Sequence, residues 1–162
     1  IVLTSGCTST IYEETPDAVK VRFGMGGFVQ PVMARYRSWS EAGKRIIIDG
    51  QVISADAFGA FSAPNACYTE NVIFSPHALS HFGVVPARQA THEIASMLPS
   101  ELEVWFRNNI VFYDFIGFAA LDFAKVHELW PEGACEGAAE RWARKVAAHR
   151  TFERLHTNHD GP

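Results

Sequence analysis

Three features that acyl-transfer chemistry requires each follow a predicted strand. The pair Gly26-Gly27 comes after the β-branched run AVKVRFG, Ser54 after the run RIIID, and His77 after NVIF. A serine hydroxyl is a weak nucleophile and needs a base such as histidine within hydrogen-bond reach. Backbone N–H groups stabilise the developing oxyanion, and glycines expose these groups because no Cβ blocks the approach. The chain therefore holds the parts of a serine hydrolase in a plausible order.

A helix is predicted between the first two of these strands. From Phe28 to Ala42, apolar residues recur at steps of three and four, which places them on one buried face. Pro31 falls in the first turn, where its missing N–H costs little, and Gly43 follows the last turn, as helix-ending glycines commonly do. The run RIIID is apolar without interruption, which is typical of a parallel strand covered on both faces.

The chain becomes mostly helical after its third predicted strand. Residues 90–97 and 118–130 show helical patterns, and Ser100 with Glu103 forms a capping box for a helix between them. A long last helix precedes the polar tail HTNHDGP. This order predicts an α/β fold with a parallel sheet, right-handed crossover helices and a helical C-terminal part. Because neighbouring parallel strands end at the same edge of a sheet, we expect the glycine pair, the serine and the histidine to meet there.

The composition is that of one globular domain. The chain has 162 residues, of which 48% are hydrophobic and 20% charged, with a net charge of -4. No basic stripe gathers the Lys and Arg residues, so nucleic acid is not the expected partner. No stretch approaches the ~20 apolar residues needed to span a bilayer. We divide the chain into an N-terminal segment (1–16), a single domain (17–155) and a polar tail (156–162).

The first ten residues, IVLTSGCTST, resemble the tail of an export signal in which Cys7 becomes a lipid-bearing first residue. Leu3 lies one place earlier than bacterial lipoproteins prefer, and the alternative is an ordinary first strand. The cysteines Cys7, Cys67 and Cys135 have no C-x-x-C spacing, so a cysteine zinc site is not expected. Their odd number fits either one pair and a spare or three buried thiols.

Histidine spacing raises a metal site as an alternative. His77 and His81 are four residues apart, with His92 and Glu93 further along the chain. However, the segment THEIAS lacks the second histidine of a zincin helix. We therefore predict neither a metal nor any other cofactor.

Beyond these local patterns, the string GMGGFVQPVMARYRSWSEAGKRIIIDGQVISADAFGAF resembles the core of the Clp protease/crotonase superfamily. Within it, GQVISADAF is similar to the serine turn of the Clp proteolytic subunit. The pieces YRSWSEAGKRIIIDGQVISAD, CYTENVIFSPHA, LPSELEVWF and LWPEGAC are similar to motifs of small exported Clp-like proteins of Gram-negative bacteria. The resemblance covers roughly residues 18–136.

The resemblance implies roles for residues at matching positions. Ser54 matches the nucleophile and His77 the general base. Gly26 and Gly27 match the oxyanion-hole pair, with the N–H of Ala55 as a further donor. A peptide or another acyl compound is the implied substrate. No acidic third member matches clearly.

Two aspartates are the nearest acidic candidates, and two cysteines also match the family. Asp122 is the first candidate by position for the third member of a triad, and Asp114 is the next. Cys67 and Cys135 match the two outlying cysteines of the family and are implied to form a disulfide in an oxidising compartment.

The chain departs from the family beside the serine. Val52 and Asp56 stand where the family has cysteines, so a disulfide that ties this turn is absent. The carboxylate of Asp56 is expected either to orient His77 or to repel an acyl substrate.

Two hypotheses remain open from the sequence. The first is an exported serine hydrolase or peptidase that is periplasmic or in the cell envelope, with membrane attachment through a lipidated Cys7. The second is a catalytically inactive relative that uses the fold for binding a protein partner or for assembly, in which Ser54 simply caps the helix after it. In either case the resemblance implies a homo-oligomer built through the C-terminal helices.

Overall fold

The computed structural model describes residues 10–81, 85–112, 114 and 117–157, so the predicted lipidation site Cys7 lies outside the described residues. The fold is mixed α/β, as the order of elements predicted. The strands are β1 (Thr10–Glu14), β2 (Ala18–Gly24), β3 (Arg45–Ile53), β4 (Ala66–Tyr68), β5 (Ile73–Ser75), β6 (Ser80–His81), β7 (Val85–Pro86) and β8 (Leu121–Asp122). The helices are α1 (Val29–Glu41), α2 (Ala55–Ser62), α3 (Arg88–Ala95), α4 (Ser100–Phe106), α5 (Phe123–Leu129) and α6 (Ala138–Thr157).

The main sheet has a parallel centre and antiparallel edges. β2, β3 and β5 lie side by side and run parallel, and β4 also pairs in parallel with the first half of β3. β1 pairs antiparallel with β2 at one edge, and β8 pairs antiparallel with β5 at the other. The sheet is therefore mixed, and the predicted parallel arrangement describes its centre but not its two edges. β6 and β7 form a separate small antiparallel pair.

Helices α1 and α2 pack together against the sheet. The apolar spacing predicted α1 within a residue at each end, and its buried residues Val32, Tyr36 and Trp39 recur at steps of four and three. In α2, every residue from Ala55 to Phe61 is buried. A Cβ on Gly59 would lie 2.4 Å from the Tyr36 ring, so a glycine is required where the two helices cross.

The helical C-terminal part differs from the prediction at two points. Ser100 is the first residue of α4 rather than its cap, which is Pro99, and no side chain caps this end. The stretch predicted as one helix over 118–130 divides into β8 and α5, because Leu121 and Asp122 pair with β5. A π-helical turn, Arg107–Val111, continues α4.

Part of the predicted N-terminal segment belongs to the domain. β1 lies within residues 1–16, yet it pairs with β2 along its whole length, and the side chain of Thr10 is buried. Within the described residues, β1 is therefore part of the same sheet as β2. Within the described residues, no helix combines the length and apolar character needed to cross a membrane.

A disulfide joins Cys67 on β4 to Cys135, just before α6. This is the pair that the resemblance implied. Beside it, the backbone N–H of Cys135 donates to the carbonyl oxygen of Tyr68 at 2.8 Å, so α6 is attached to the sheet through both contacts. Disulfides of this kind persist in oxidising compartments.

Candidate active site

The glycine pair, the serine and the histidine follow the ends of three adjacent parallel strands. Gly26 and Gly27 come shortly after β2, Ser54 directly follows β3, and His77 comes two residues after the end of β5. The backbone N–H of Ser54 donates to the carbonyl oxygen of Ser75, the last residue of β5, at 3.1 Å. The topology therefore brings all three to one edge of the sheet, as the sequence predicted.

Ser54 lies in a sharp turn between β3 and α2. Its backbone has φ 55° and ψ -126°, a region that residues other than glycine rarely occupy. A serine that caps a helix normally has an extended backbone and accepts a hydrogen bond from the first turn. Ser54 has neither feature, since its side chain makes no cap hydrogen bond. Helix capping therefore does not account for this serine, and strained backbone of this kind is typical of a nucleophile elbow.

Gly26 lies against Ser54 so closely that no side chain fits. A Cβ on Gly26 would be 2.5 Å from the Ser54 Cβ, 2.8 Å from the Ile53 carbonyl oxygen and 3.0 Å from the Ala55 nitrogen. Gly26 and Gly27 also have positive φ angles of 83° and 118°. Both the backbone conformation and the close approach therefore require glycine at position 26.

The backbone N–H groups around Ser54 differ in what they bind. The N–H of Gly26 donates to the Asp56 carboxylate at 2.9 Å, so it is occupied. Ala55 is the first residue of α2, and its N–H therefore has no acceptor within the helix. The N–H of Gly27 bonds to no backbone acceptor in the described part of the chain. Among the described residues near Ser54, the N–H groups of Gly27 and Ala55 are therefore candidate donors to an oxyanion.

His77 is held in a defined tautomer. Its Nδ1 lies 2.6 Å from the carbonyl oxygen of Ala78, and because a carbonyl oxygen only accepts, Nδ1 carries the proton. Nε2 then has the free lone pair that a general base needs. The ring of Phe118 packs edge-on against the imidazole, with 4.9 Å between centroids. Burial lowers the pKa of His77 below its usual value of 6.5, while the Ala78 hydrogen bond partly opposes this shift.

Ser54 and His77 are not directly bonded. Among the described residues, no hydrogen bond joins the two side chains. Catalytic hydrogen bonds are often long in the absence of substrate and shorten in the complex, so this arrangement is compatible with a base that acts on bound substrate.

The two acidic candidates for a third triad member have other partners. Asp122 caps α5 by accepting from the N–H of Lys125 and lies opposite Ile73 in the sheet. His77 is four positions after Ile73 along the chain, which corresponds to about 13 Å if that segment is extended. Asp114 forms an ion pair with Arg88. The group that contacts the His77 Nδ1 is the Ala78 carbonyl, not a carboxylate.

Asp56 faces inward. Its side chain is fully buried, and four residues donate to its carboxylate: Thr10 from β1, Gly26, and Arg35 and Tyr36 from α1. The expectation that it orients His77 is therefore wrong, and its charge is paired with the Arg35 guanidinium. Burial, and then the neighbouring carboxylate, raise the pKa of the Tyr36 hydroxyl, so this group remains protonated and donates.

Sequence reasoning missed Thr10, Arg35 and Tyr36 as neighbours of this site. The available signal was Asp56 itself, because a carboxylate inside the apolar run SADAFGAF requires a buried cation and donors. The sequence did not identify which residues supply them.

Large apolar side chains are exposed around the three strand ends. Met25 and Phe28 flank the glycine pair and are 58% and 76% exposed, and Phe118, which contacts His77, is 63% exposed. These side chains offer apolar surface beside the glycine pair and beside His77.

No group of three or more metal-binding side chains is found among the described residues. Comparison with protein families, with curated proteins and with solved structures finds no match to this chain.

Proposed function

We propose that this chain is a serine hydrolase of Clp/crotonase-like fold that cleaves esters or peptides with an apolar acyl group. The observation that carries the proposal is the strained backbone of Ser54, at φ 55° and ψ -126°, at the edge of the sheet where His77 and the glycine turn also lie. Such strain costs of order 1–3 kcal/mol and is concentrated at active sites, ligand clamps and switch regions.

In the proposed reaction, the Ser54 Oγ attacks the acyl carbon while Nε2 of His77 accepts the hydroxyl proton. The oxyanion accepts hydrogen bonds from the N–H groups of Gly27 and Ala55, and the N-terminus of α2 adds a favourable dipole. The bond to the leaving group then breaks, and His77 returns the proton to that group. Water hydrolyses the acyl-serine by the reverse set of transfers. The Ala78 carbonyl takes the orienting role that an acid has in other sites of this type.

The apolar acyl preference rests on Met25, Phe28 and Phe118. An acyl chain that covers these exposed side chains gains about 0.8 kcal/mol for each buried CH₂. We expect kcat/KM for p-nitrophenyl hexanoate to exceed that for the acetate by about tenfold or more. Replacing Phe118 with Ala should reduce this ratio, whereas Val104→Ala, which trims an exposed residue of α4, should not. Equal rates for the two esters, or no hydrolysis above background, would contradict the proposal.

The proposed base predicts a pH profile. His77 must be neutral to accept a proton, and its pKa is lowered from 6.5 by burial. We therefore expect kcat/KM to fall at acidic pH with a midpoint below 6.5. Replacing Phe118 with Ala uncovers the ring and should move the midpoint upward. A wild-type midpoint above 6.5 would exclude His77 as the base.

One observation favours the second function, a catalytically inactive protein that binds or assembles through this fold. It is the lack of a direct hydrogen bond between Ser54 and His77 within the described residues. Attachment through Cys7, location in the periplasm or cell envelope, and homo-oligomerisation stay predictions under either function.

A further inference from the structure

The buried carboxylate of Asp56 joins the glycine turn to the serine elbow. Asp56 is two residues after Ser54, in the first turn of α2, and its Oδ2 accepts from the N–H of Gly26 at 2.9 Å. Gly26 in turn lies against the Cβ of Ser54. The Asp56 side chain therefore links the segment that carries Ser54 to the segment that precedes Gly27.

Three further side chains donate to the Asp56 carboxylate. Oδ1 accepts from Nη2 of Arg35 at 2.7 Å and from the Tyr36 hydroxyl at 3.0 Å. The Thr10 hydroxyl lies within 3.2 Å of both oxygens. Gly24 leaves room for this carboxylate, since a Cβ there would be 2.6 Å from the Asp56 Cγ.

The ion pair with Arg35 also balances the negative charge of Asp56, which lies close to Ser54. A lone carboxylate beside the first turn of α2 would repel an oxyanion bound there. The guanidinium at 2.7 Å balances that charge, so the carboxylate can hold the turn without opposing the reaction.

We propose that Asp56, paired with Arg35, is a positioning residue that holds the Gly26-Gly27 turn so that the N–H of Gly27 faces the acyl oxygen at Ser54. This proposal rests on the proposed function. The positioning of the Gly27 N–H depends on the hydrogen bond between Asp56 and Gly26, whereas a general structural role would not.

Asp56→Asn tests this bond selectively. The amide keeps only one oxygen, and the Arg35 cation and the Tyr36 hydroxyl both require an acceptor at the position of Oδ1. The amide NH₂ then faces the N–H of Gly26, so two donors oppose each other. The matched control is Asp49→Asn on β3, since Asp49 is also a buried carboxylate that pairs with cations, Lys20 and Arg22.

Two measurements are made on the full chain: hydrogen exchange at the Gly26 amide and the kinetics of labelling by a fluorophosphonate. We expect exchange at Gly26 to be about tenfold faster in Asp56→Asn than in Asp49→Asn. The maximal labelling rate should fall by about tenfold or more with the half-saturating probe concentration unchanged, because the turn acts on the developing oxyanion. Unchanged Gly26 exchange, or equal labelling kinetics in the two variants, would overturn the proposal.

The two measurements also distinguish an error in the proposed function from an error in the role proposed for Asp56. If the wild type is not labelled at all, the hydrolase is excluded, while the Gly26 exchange still decides whether Asp56 holds the turn. If Asp56→Asn does not fold, the wild type alone decides: its Gly26 amide should exchange about tenfold or more slowly than that of Gly27. Equal exchange at the two amides would overturn the proposal.

Discussion

Ser54→Gly is expected to make the protein more stable and to abolish its hydrolase activity. At φ 55° and ψ -126°, glycine relieves strain of order 1–3 kcal/mol. Glycine also loses more backbone entropy on folding, which offsets about 0.5–1 kcal/mol of this gain. We expect a net rise in the free energy of unfolding of about 1 kcal/mol, measured by chemical denaturation.

Ser54→Ala is the matched control for this variant. Alanine removes the hydroxyl but keeps the Cβ and the strain, so its stability should stay near that of the wild type. Both variants should lose about a thousandfold or more in hydrolysis, since each lacks the nucleophile. If Ser54→Gly proves no more stable than Ser54→Ala, the backbone at this turn is not strained, and the observation that carries the functional proposal fails.

Gly26→Ala is expected to damage both stability and activity. The new Cβ meets the Ser54 Cβ at 2.5 Å and the Ile53 carbonyl oxygen at 2.8 Å, so the turn and the elbow must separate. A displacement of about 1 Å in such a site costs roughly a hundredfold in rate. The φ of 83° adds about 1–2 kcal/mol of strain for any residue with a Cβ.

Gly43→Ala separates the effect of backbone strain from the effect of the steric contact with Ser54. Gly43 has a similar φ of 72°, but a Cβ there meets nothing within 4 Å. It should therefore lose about 1–2 kcal/mol of stability from the backbone alone and keep its full hydrolysis rate. The comparison needs only urea unfolding and ester hydrolysis for both variants. Similar rates in Gly26→Ala and Gly43→Ala would show that contact between Gly26 and Ser54 has no role in catalysis.

Local patterns predicted the centre of the fold well. β2 and the apolar start of β3 were visible as β-branched runs, and α1 as a repeat of apolar residues ended by Gly43. These signals lie within a few neighbouring residues of one segment. The meeting of Ser54 and the glycine turn at one sheet edge then followed from the parallel pairing of β2 and β3.

The edges of the sheet were not predictable in the same way. β8 has only the residues Leu121 and Asp122, and it is a strand solely because it pairs with β5. Its sequence neighbours have a helical pattern, so local reasoning extended the helix across it. β4, at Ala66–Tyr68, was likewise too short to give a period.

The hydrogen-bond network around Asp56 was harder to predict from the sequence than the strands and helices were. Thr10 on β1, Gly26 in the turn after β2 and Arg35 on α1 are far apart in sequence, and only the folded chain brings them to Asp56. The resemblance to the family singled out Asp56 as a departure from the motif but did not show that its carboxylate turns inward. The direction of one side chain at a helix start depends on the space that Gly24 leaves and on the donors across it.

The most direct test of the account is mass spectrometry of the wild-type chain after treatment with a fluorophosphonate, with the adduct located by peptide mapping. We predict a single adduct on Ser54, formed much more slowly in His77→Ala and absent in Ser54→Ala. An unmodified wild type, or the same modification in Ser54→Ala, would contradict the assignment of Ser54 as a nucleophile.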